Sequence, residues 1–549
     1  MCVCAPLYSM KTVSVPYNLE CVLQTGHLPT LRRFAATLIL PLGLCLVVTR
    51  CTFGQDRTTP EHSPTPVPPR ASSSGTDAKT DSLLPLPADA SVPQTVTLNG
   101  NTLHYTATVG VIPVYNRTDP NKPEMKTGEV VVTSYVLNGV KEAADRPVTF
   151  AMNGGPGASS VYLNFGAIGP KRVPFAEQGD SPSDPTQLMD NPGTWLPFSD
   201  LVFIDPIGTG FSRSLVSIPE TKKFFYSTTP DVEYLSRVIY DWLVKNSRLQ
   251  SRKYLIGESY GGYRGPRVTH YLQSQLGIAM NGVVLVSPYL NPWIGGNGEI
   301  SPLPWMMTLP SITAAHLERE HQLTPARMAE VIAYTRSQYV TDLLAGRSDP
   351  EATPRMIKKV TELTGLDPAF VKHSGGRIET NAYLREVYRE KNEIGSVYDS
   401  NVTAPDPFPF SPDRRSSDPI LEAIIAPTTT AMVDWITRVV GWKTTARYNA
   451  LSYEVNEQWD RDRALERGST ADLRQAVAAD PKLRVVIAHG WDDLSCPFMG
   501  SILTVDEMPL MGDPQRVTVR EYPGGHMFYT RPGSQSLFLK DVETMFAAH

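Results

Sequence analysis

Ser259 lies in the run Gly257-Glu258-Ser259-Tyr260-Gly261-Gly262, directly after the apolar stretch Tyr254-Leu255-Ile256. A serine hydroxyl attacks a carbonyl only when a base takes its proton and a third group orients that base. Flanking glycines at a strand-to-helix turn allow the serine to be lifted above the end of a sheet. In that arrangement the acid and then the histidine follow later in the chain. Two segments supply them. Arg484 through Ala488 reads as a buried strand running into His489-Gly490-Trp491-Asp492-Asp493, and Val517 through Tyr522 alternates as a strand ending in Pro523-Gly524-Gly525-His526. His526 is the expected base, and Asp492 and Asp493 compete to orient it. His489 is a rival base, but it precedes the acidic pair and fits the chain order poorly. A fourth segment, Asn153-Gly154-Gly155-Pro156-Gly157, follows the strand-like Val148 through Met152. Backbone N–H groups in such a glycine turn can face a developing oxyanion. The chemistry on offer is acyl transfer through a serine ester.

Asn153 through Ser160, Gly257 through Gly262, Gly490 through Pro497 and Gly525-His526-Met527 together resemble the serine carboxypeptidase family. Phe203 through Ser212 is similar to a fifth signature of that family, and the resemblance runs from about residue 95 to the C-terminus. It implies an α/β-hydrolase fold, with a mixed, mostly parallel sheet. It also implies release of C-terminal residues from peptides with a free C-terminus. Carried over by position, Ser259 would be the nucleophile and His526 the base. Asp493 would be the orienting acid, counted forward from Gly490 and back from Pro497. The backbone N–H groups of Gly155 and Tyr260 would bind the oxyanion, and Asn153 and Glu258 would hold the substrate's terminal carboxylate. Glu258 can do so only by sharing a proton with that carboxylate, because two buried like charges repel. Acid pH is therefore expected to favour the reaction. Cys496 and Met527 are expected to border the pocket. No cofactor and no metal are implied. The chain departs from the family pattern at Ala151, where many members carry tryptophan, and at Ala158, where many carry cysteine; the Asp205 motif is one residue shorter. An acyltransferase or esterase with the same triad is the nearest alternative, and a catalytically silent binding protein of the same fold the more distant one.

The elements that must position these residues alternate. Strands are expected near 130–137, 148–152, 201–204, 253–257, 283–287, 484–488 and 517–522, with helices near 230–246, 261–275 and from about Ser534 to the end. This is α/β order. Between about 295 and 470 helical patterns replace the strands, as in Arg327 to Leu344 and Leu421 to Val440, which predicts an inserted helical cap over the site. Trp305 and Trp435 in that insertion are expected to pack rather than touch substrate.

The front of the chain reads differently. Arg32-Arg33 precede an apolar run of about fifteen residues, Phe34 to Val48, the length of a signal segment rather than a membrane span. Residues 1–54 are therefore expected to be an export leader, with twin-arginine export and lipidation at Cys51 as weaker readings, and with tethering by an uncleaved leader as the alternative to a periplasmic or extracellular product. Residues 55–92 are rich in Pro, Ser and Thr and read as a linker to a catalytic domain at 93–549. The six cysteines stand at 2, 4, 21, 45, 51 and 496, so removal of the leader leaves Cys496 alone and excludes an internal disulfide. The 549 residues are 41% hydrophobic with a net charge of −5, enough for a sizeable core and no invitation to nucleic acid.

Overall fold

The near-continuous apolar runs of the central strands require a sheet buried on both faces. The computed structural model shows this, and it describes residues 84–548 except 118–120, 122, 175–181, 184–185, 292–299, 412–416 and 462–467. The expected leader and nearly all of the expected linker lie outside the described residues. The main strands are β1 (Ala90–Leu98), β2 (Asn101–Asn116), β3 (Met125–Leu137), β4 (Val148–Met152), β5 (Asp200–Ile204), β6 (Lys253–Glu258), β7 (Gly282–Val286), β8 (Arg484–Gly490) and β9 (Val517–Tyr522). Their order in the sheet is β1-β2-β3-β5-β4-β6-β7-β8-β9. The first pairings, as far as β3 with β5, are antiparallel, and those from β5 to β9 are parallel.

Two of these strands correct the sequence expectation. The linker boundary at residue 92 is too late, since β1 already begins at Ala90. The strands β1 and β2 form a hairpin that the strand list omits. The turn is Asn99-Gly100, both with positive φ (50° and 82°), the combination that a tight two-residue hairpin demands.

The core follows the strand period of two. Phe150 and Met152 face one side of the sheet, with Leu255, Val283, Leu285 and Ile487. Against them pack α1 (Thr228–Lys245), through Leu235, Ile239 and Trp242, and α2 (Tyr260–Gln275), through Tyr263, Val268 and Leu272. Ala151, Ile256, Val284 and Val486 face the other side, which the C-terminal helix Pro532–Ala547 covers with Phe538, Val542 and Phe546.

Among the described residues between β7 and β8 the regular elements are helices, apart from a small antiparallel pair, Glu393–Gly395 with Thr403–Pro405. The helix α3 (Leu303–Arg319) packs Met306, Leu309 and Ile312 into a separate cluster with Tyr339, Met356 and Tyr383, and Leu494 joins it from the loop after β8. The helix α4 (Pro419–Asp434) instead joins the main core through Ile420, Ile424 and Met432. Trp435 at its end is buried against Tyr135 and Phe165, so it packs as expected. Among the described residues no helix is long and apolar enough to cross a membrane.

The parallel register brings the ends of the chemistry-bearing strands to one rim. Glu258 pairs with Val286, Val286 with Ala488, and Gly490 with Tyr522. The serine, aspartate and histidine loops all leave the sheet there, the edge where open α/β sheets bind ligands.

Candidate active site

Ser259 caps β6 and starts α2 with φ 60° and ψ −120°, a strained conformation for a residue with a side chain. The strain therefore sits on the serine itself. The glycines serve close approach: a Cβ at Gly257 would collide with the Gly261 carbonyl, and one at Gly261 with the Met152 carbonyl. The turn is held by the Ser259 N–H, which donates to Val286 O at 2.9 Å.

His526 Nδ1 lies 2.7 Å from Asp493 Oδ2, with both side chains buried. The other oxygen of Asp493 accepts from the N–H groups of Ser495 (2.8 Å) and Cys496 (2.9 Å). Of the two candidate acids, Asp493 is the one in contact with His526. Asp492 turns away into a polar group with the buried Asp399 and the half-buried Glu318, Asn401 and Arg531. Asn401 Nδ2 donates to Glu318 (2.8 Å) and to Asp492 (3.4 Å), while Arg531 pairs with Glu318 and Asp399, each at 2.6 Å. His489 faces Ser501 Oγ at 2.8 Å, and burial pushes its pKa down to about 4. It is a neutral core histidine, apart from the triad.

The glycine turn after β4 lies directly on the elbow, since a Cβ at Gly154 would strike the backbone of Glu258 and Tyr260. A cavity of about 290 Å³ is lined by Gly155, Ser259 and Tyr260 together, so the two expected oxyanion donors and the nucleophile share one space. Next to the serine in the chain, Glu258 is buried and its Oε2 accepts from Asn153 Nδ2 (2.6 Å) and Tyr529 Oη (2.8 Å). Asn153 Oδ1 accepts from the Leu163 N–H at 2.9 Å, which orients the amide with its NH₂ toward Glu258. Burial raises the pKa of Glu258, against the pull of nearby His526 and the two hydrogen bonds. Burial disfavours protonation of His526, but Asp493 and then Cys496 outweigh it, and its pKa stands well above the usual histidine value.

Cys496 is a buried free thiol that lines this cavity and an adjoining one of about 350 Å³. Burial pushes its pKa up. Met527 is not among the residues lining these two cavities; it is half-buried and packs against the main core. Trp305 lines the larger cavity, so its expected role as packing alone is incomplete.

Three contributors escaped the sequence reading. Tyr529 had no signal beyond its spacing of three from His526. Arg264 on α2 forms a buried pair with Asp231 at 2.6 Å and donates to Asn153 O at 2.9 Å, fixing the end of β4. The segment 396–401 of the insertion braces both catalytic loops. Tyr398 O accepts from the His526 N–H (2.5 Å), Val397 O from Leu494 N–H (3.0 Å), and Asp399 Oδ2 from Gly525 N–H (3.0 Å).

Comparison with known proteins agrees with this geometry. The sequence profile described as "Serine carboxypeptidase" matches residues 135–530. The chain belongs to the serine carboxypeptidase family. It is 35% identical over 132 residues to serine carboxypeptidase-like 50 of Arabidopsis thaliana, covering 23% of this chain and 27% of that protein. It is 28% identical over 179 residues to the pheromone-processing carboxypeptidase KEX1 of Ogataea parapolymorpha, covering 31% of this chain and 24% of that protein. The aligned part thus spans about a quarter of the length of these curated relatives. The crystal structure of the prohormone-processing carboxypeptidase KEX1(delta)p from Saccharomyces cerevisiae shares the fold, with a TM-score of 0.50 at 15% identity over 80% of this chain and 91% of that one. The α/β-hydrolase architecture is thereby shown.

Proposed function

We propose that this protein is a serine carboxypeptidase that removes C-terminal residues from peptides through an acyl-enzyme at Ser259. The observation that carries the reading is the buried Glu258, placed next to the nucleophile and held by Asn153 and Tyr529 through one oxygen. The second oxygen is available to share a proton with a substrate carboxylate. An esterase acting on substrates without a carboxylate has no use for such a group.

His526 takes the Ser259 proton as the hydroxyl attacks the scissile carbonyl. Asp493 holds the imidazole tautomer and stabilises the imidazolium. The N–H groups of Gly155 and Tyr260 receive the oxyanion. The released amino acid takes its proton from His526, and water then cleaves the acyl-enzyme by the reverse path.

The charge states of Glu258 and His526 are linked. Ionised Glu258 with protonated His526 and neutral Glu258 with neutral His526 contain the same number of protons, so pH alone does not choose between them. An arriving carboxylate does choose, because it repels ionised Glu258 and draws the proton there, leaving His526 neutral as a base. In more alkaline solution the shared proton is gone and the carboxylate is repelled. In more acid solution both groups are protonated and the base is lost. Peptide hydrolysis is therefore expected to be fastest in mildly acid solution. The basic and apolar segment at 32–48 supports export as part of the same reading.

The test offers an N-blocked dipeptide as free acid and as amide across pH. The free acid should be cleaved faster, with an alkaline fall in kcat/KM that the amide lacks and that Glu258→Gln flattens. Cleavage of acid and amide at equal rates at every pH would favour the esterase or acyltransferase reading.

A further inference from the structure

The carboxylate clamp and the 290 Å³ cavity are built from different residues, which flank Ser259 in the chain. Glu258, before Ser259, faces Asn153 and Tyr529. Tyr260, after it, lines the cavity together with Tyr289, Trp459 and Arg461, and none of the three clamp residues lines it. If the terminal carboxylate sits on Glu258, the leaving residue lies at the clamp, and the penultimate side chain enters the cavity.

Among the described residues that line this cavity, Arg461 is the one that is charged. It is exposed at the mouth, just after Trp459, which packs edge-on against Tyr260 at 5.5 Å. Its Nη2 donates to Asn456 Oδ1 at 2.8 Å, a neutral partner that holds the side chain without adding a negative charge. That charge also acts on the Tyr289 hydroxyl across the cavity. Among the described residues it forms no ion pair. Tyr260, Tyr289 and Trp459 line the same cavity, and an anion that enters it meets the guanidinium beside apolar surface, where a charge contact is stronger than in open water. A guanidinium fork suits a carboxylate, and a substrate cation at the same place would be repelled.

We propose that Arg461 makes the acyl-side subsite selective for an acidic penultimate residue, so that the preferred substrates are peptides ending in Glu or Asp followed by one residue. This rests on the carboxypeptidase reading and names its substrate class. Arg461 is a specificity residue and takes no part in the bond-making step.

The experiment measures kcat/KM for three N-blocked dipeptides with a free C-terminus, Glu-Phe, Gln-Phe and Lys-Phe, in mildly acid buffer where the substrate glutamate is ionised. Each is run on wild type, Arg461→Met, Arg461→Lys and Arg461→Glu, with the Glu-Phe amide and a small ester beside them. Wild type should prefer Glu-Phe over Gln-Phe by roughly three- to tenfold, the size of a partly screened charge contact, and Lys-Phe should be the poorest. Arg461→Met should bring the three together, Arg461→Lys should keep the order, and Arg461→Glu should reverse it. The preference should shrink as salt is raised.

Equal rates for Glu-Phe and Gln-Phe in wild type, or a preference that survives in Arg461→Met, overturn the proposal while leaving the carboxypeptidase reading intact. A loss in Arg461→Met that is the same for all three peptides and abolishes the difference between acid and amide overturns it too, since Arg461 would then hold the terminal carboxylate. If the ester is hydrolysed through Ser259 and none of the peptides is, the carboxypeptidase reading fails and takes this proposal with it.

Discussion

Asp492 and Asp493 are adjacent in the chain, yet only one of them reaches the histidine. Asp493 has both oxygens occupied by the His526 ring and two backbone N–H groups, whereas Asp492 points into the acid group around Arg531. Asp493→Asn should lower kcat by about three to four orders of magnitude, as expected when a triad histidine loses its orienting acid. Asp492→Asn should stay within about tenfold of wild type. Ser259→Ala should match or exceed the loss in Asp493→Asn. Measured turnover on one peptide decides this, and a greater loss at Asp492 would reverse the assignment. The pairing of Asp493 with His526 was legible because each candidate sits where strand chemistry changes to glycine, and because the spacing from Gly490 to Pro497 separates the two acids. Tyr529 was illegible for a physical reason. Its hydroxyl reaches Glu258 only because a short helical turn at Phe528–Thr530 folds the chain back, and no residue pattern announces that turn.

At the scale of elements, α2 carries more than the nucleophile. Arg264 joins it to Asp231 on α1 and to the backbone at Asn153, so one side chain ties two helices to the carboxylate clamp. Both charged groups are buried, with 1% of each side chain exposed. Breaking such a pair from one side leaves an uncompensated charge and costs about 3–5 kcal/mol, whereas replacing both with apolar groups is often near neutral. Arg264→Met should therefore lower the urea midpoint strongly, and Asp231→Leu with Arg264→Met should recover much of it. Both proteins should show a raised KM for peptides, because Asn153 loses its backbone support in each. A double mutant as unstable as the single one would mean the pair itself stabilises the fold. Strands of the parallel region were legible as apolar runs, and α1 and α2 as helical patterns. The β1–β2 hairpin was missed although Asn99-Gly100 is a strong turn signal, because Pro93 and the polar alternation resemble the linker that precedes them. The brace at 396–401 could not be read, since Val397 and Tyr398 act through backbone carbonyls, which any sequence supplies, and the carboxylate of Asp399 reaches Gly525 only once the insertion is folded.

Over the whole molecule, the buried acids set how stability varies with pH. The carboxyl of Asp492 is held well above the usual range, by burial first and then by Asp399 and Glu318. The folded chain thus binds this proton more tightly than the unfolded chain does. The stabilisation is fully present below the unfolded value of about 4 and is lost as pH rises through the folded value. Glu258 acts in the same direction, as does Asp205, pushed up to about 7 by burial against the Ser160 N–H. His489 acts in the opposite direction. Burial holds it down to about 4, so folding is penalised as pH falls from about 6.5 toward that value. The two trends place maximum stability in mildly acid solution. Asparagine at position 492 cannot ionise, and its amide can offer Glu318 the hydrogen bond that the protonated acid offers. Between about pH 5.5 and about pH 8 the Tm of wild type should fall, and that of Asp492→Asn should fall less, by ~2 °C or more. Parallel Tm curves for the two proteins would show that Asp492 keeps the same charge in the folded and unfolded chain over this range. A shallower curve with peptide hydrolysis retained would separate the acid group that holds the histidine loop to the insertion from the acid that serves the histidine itself.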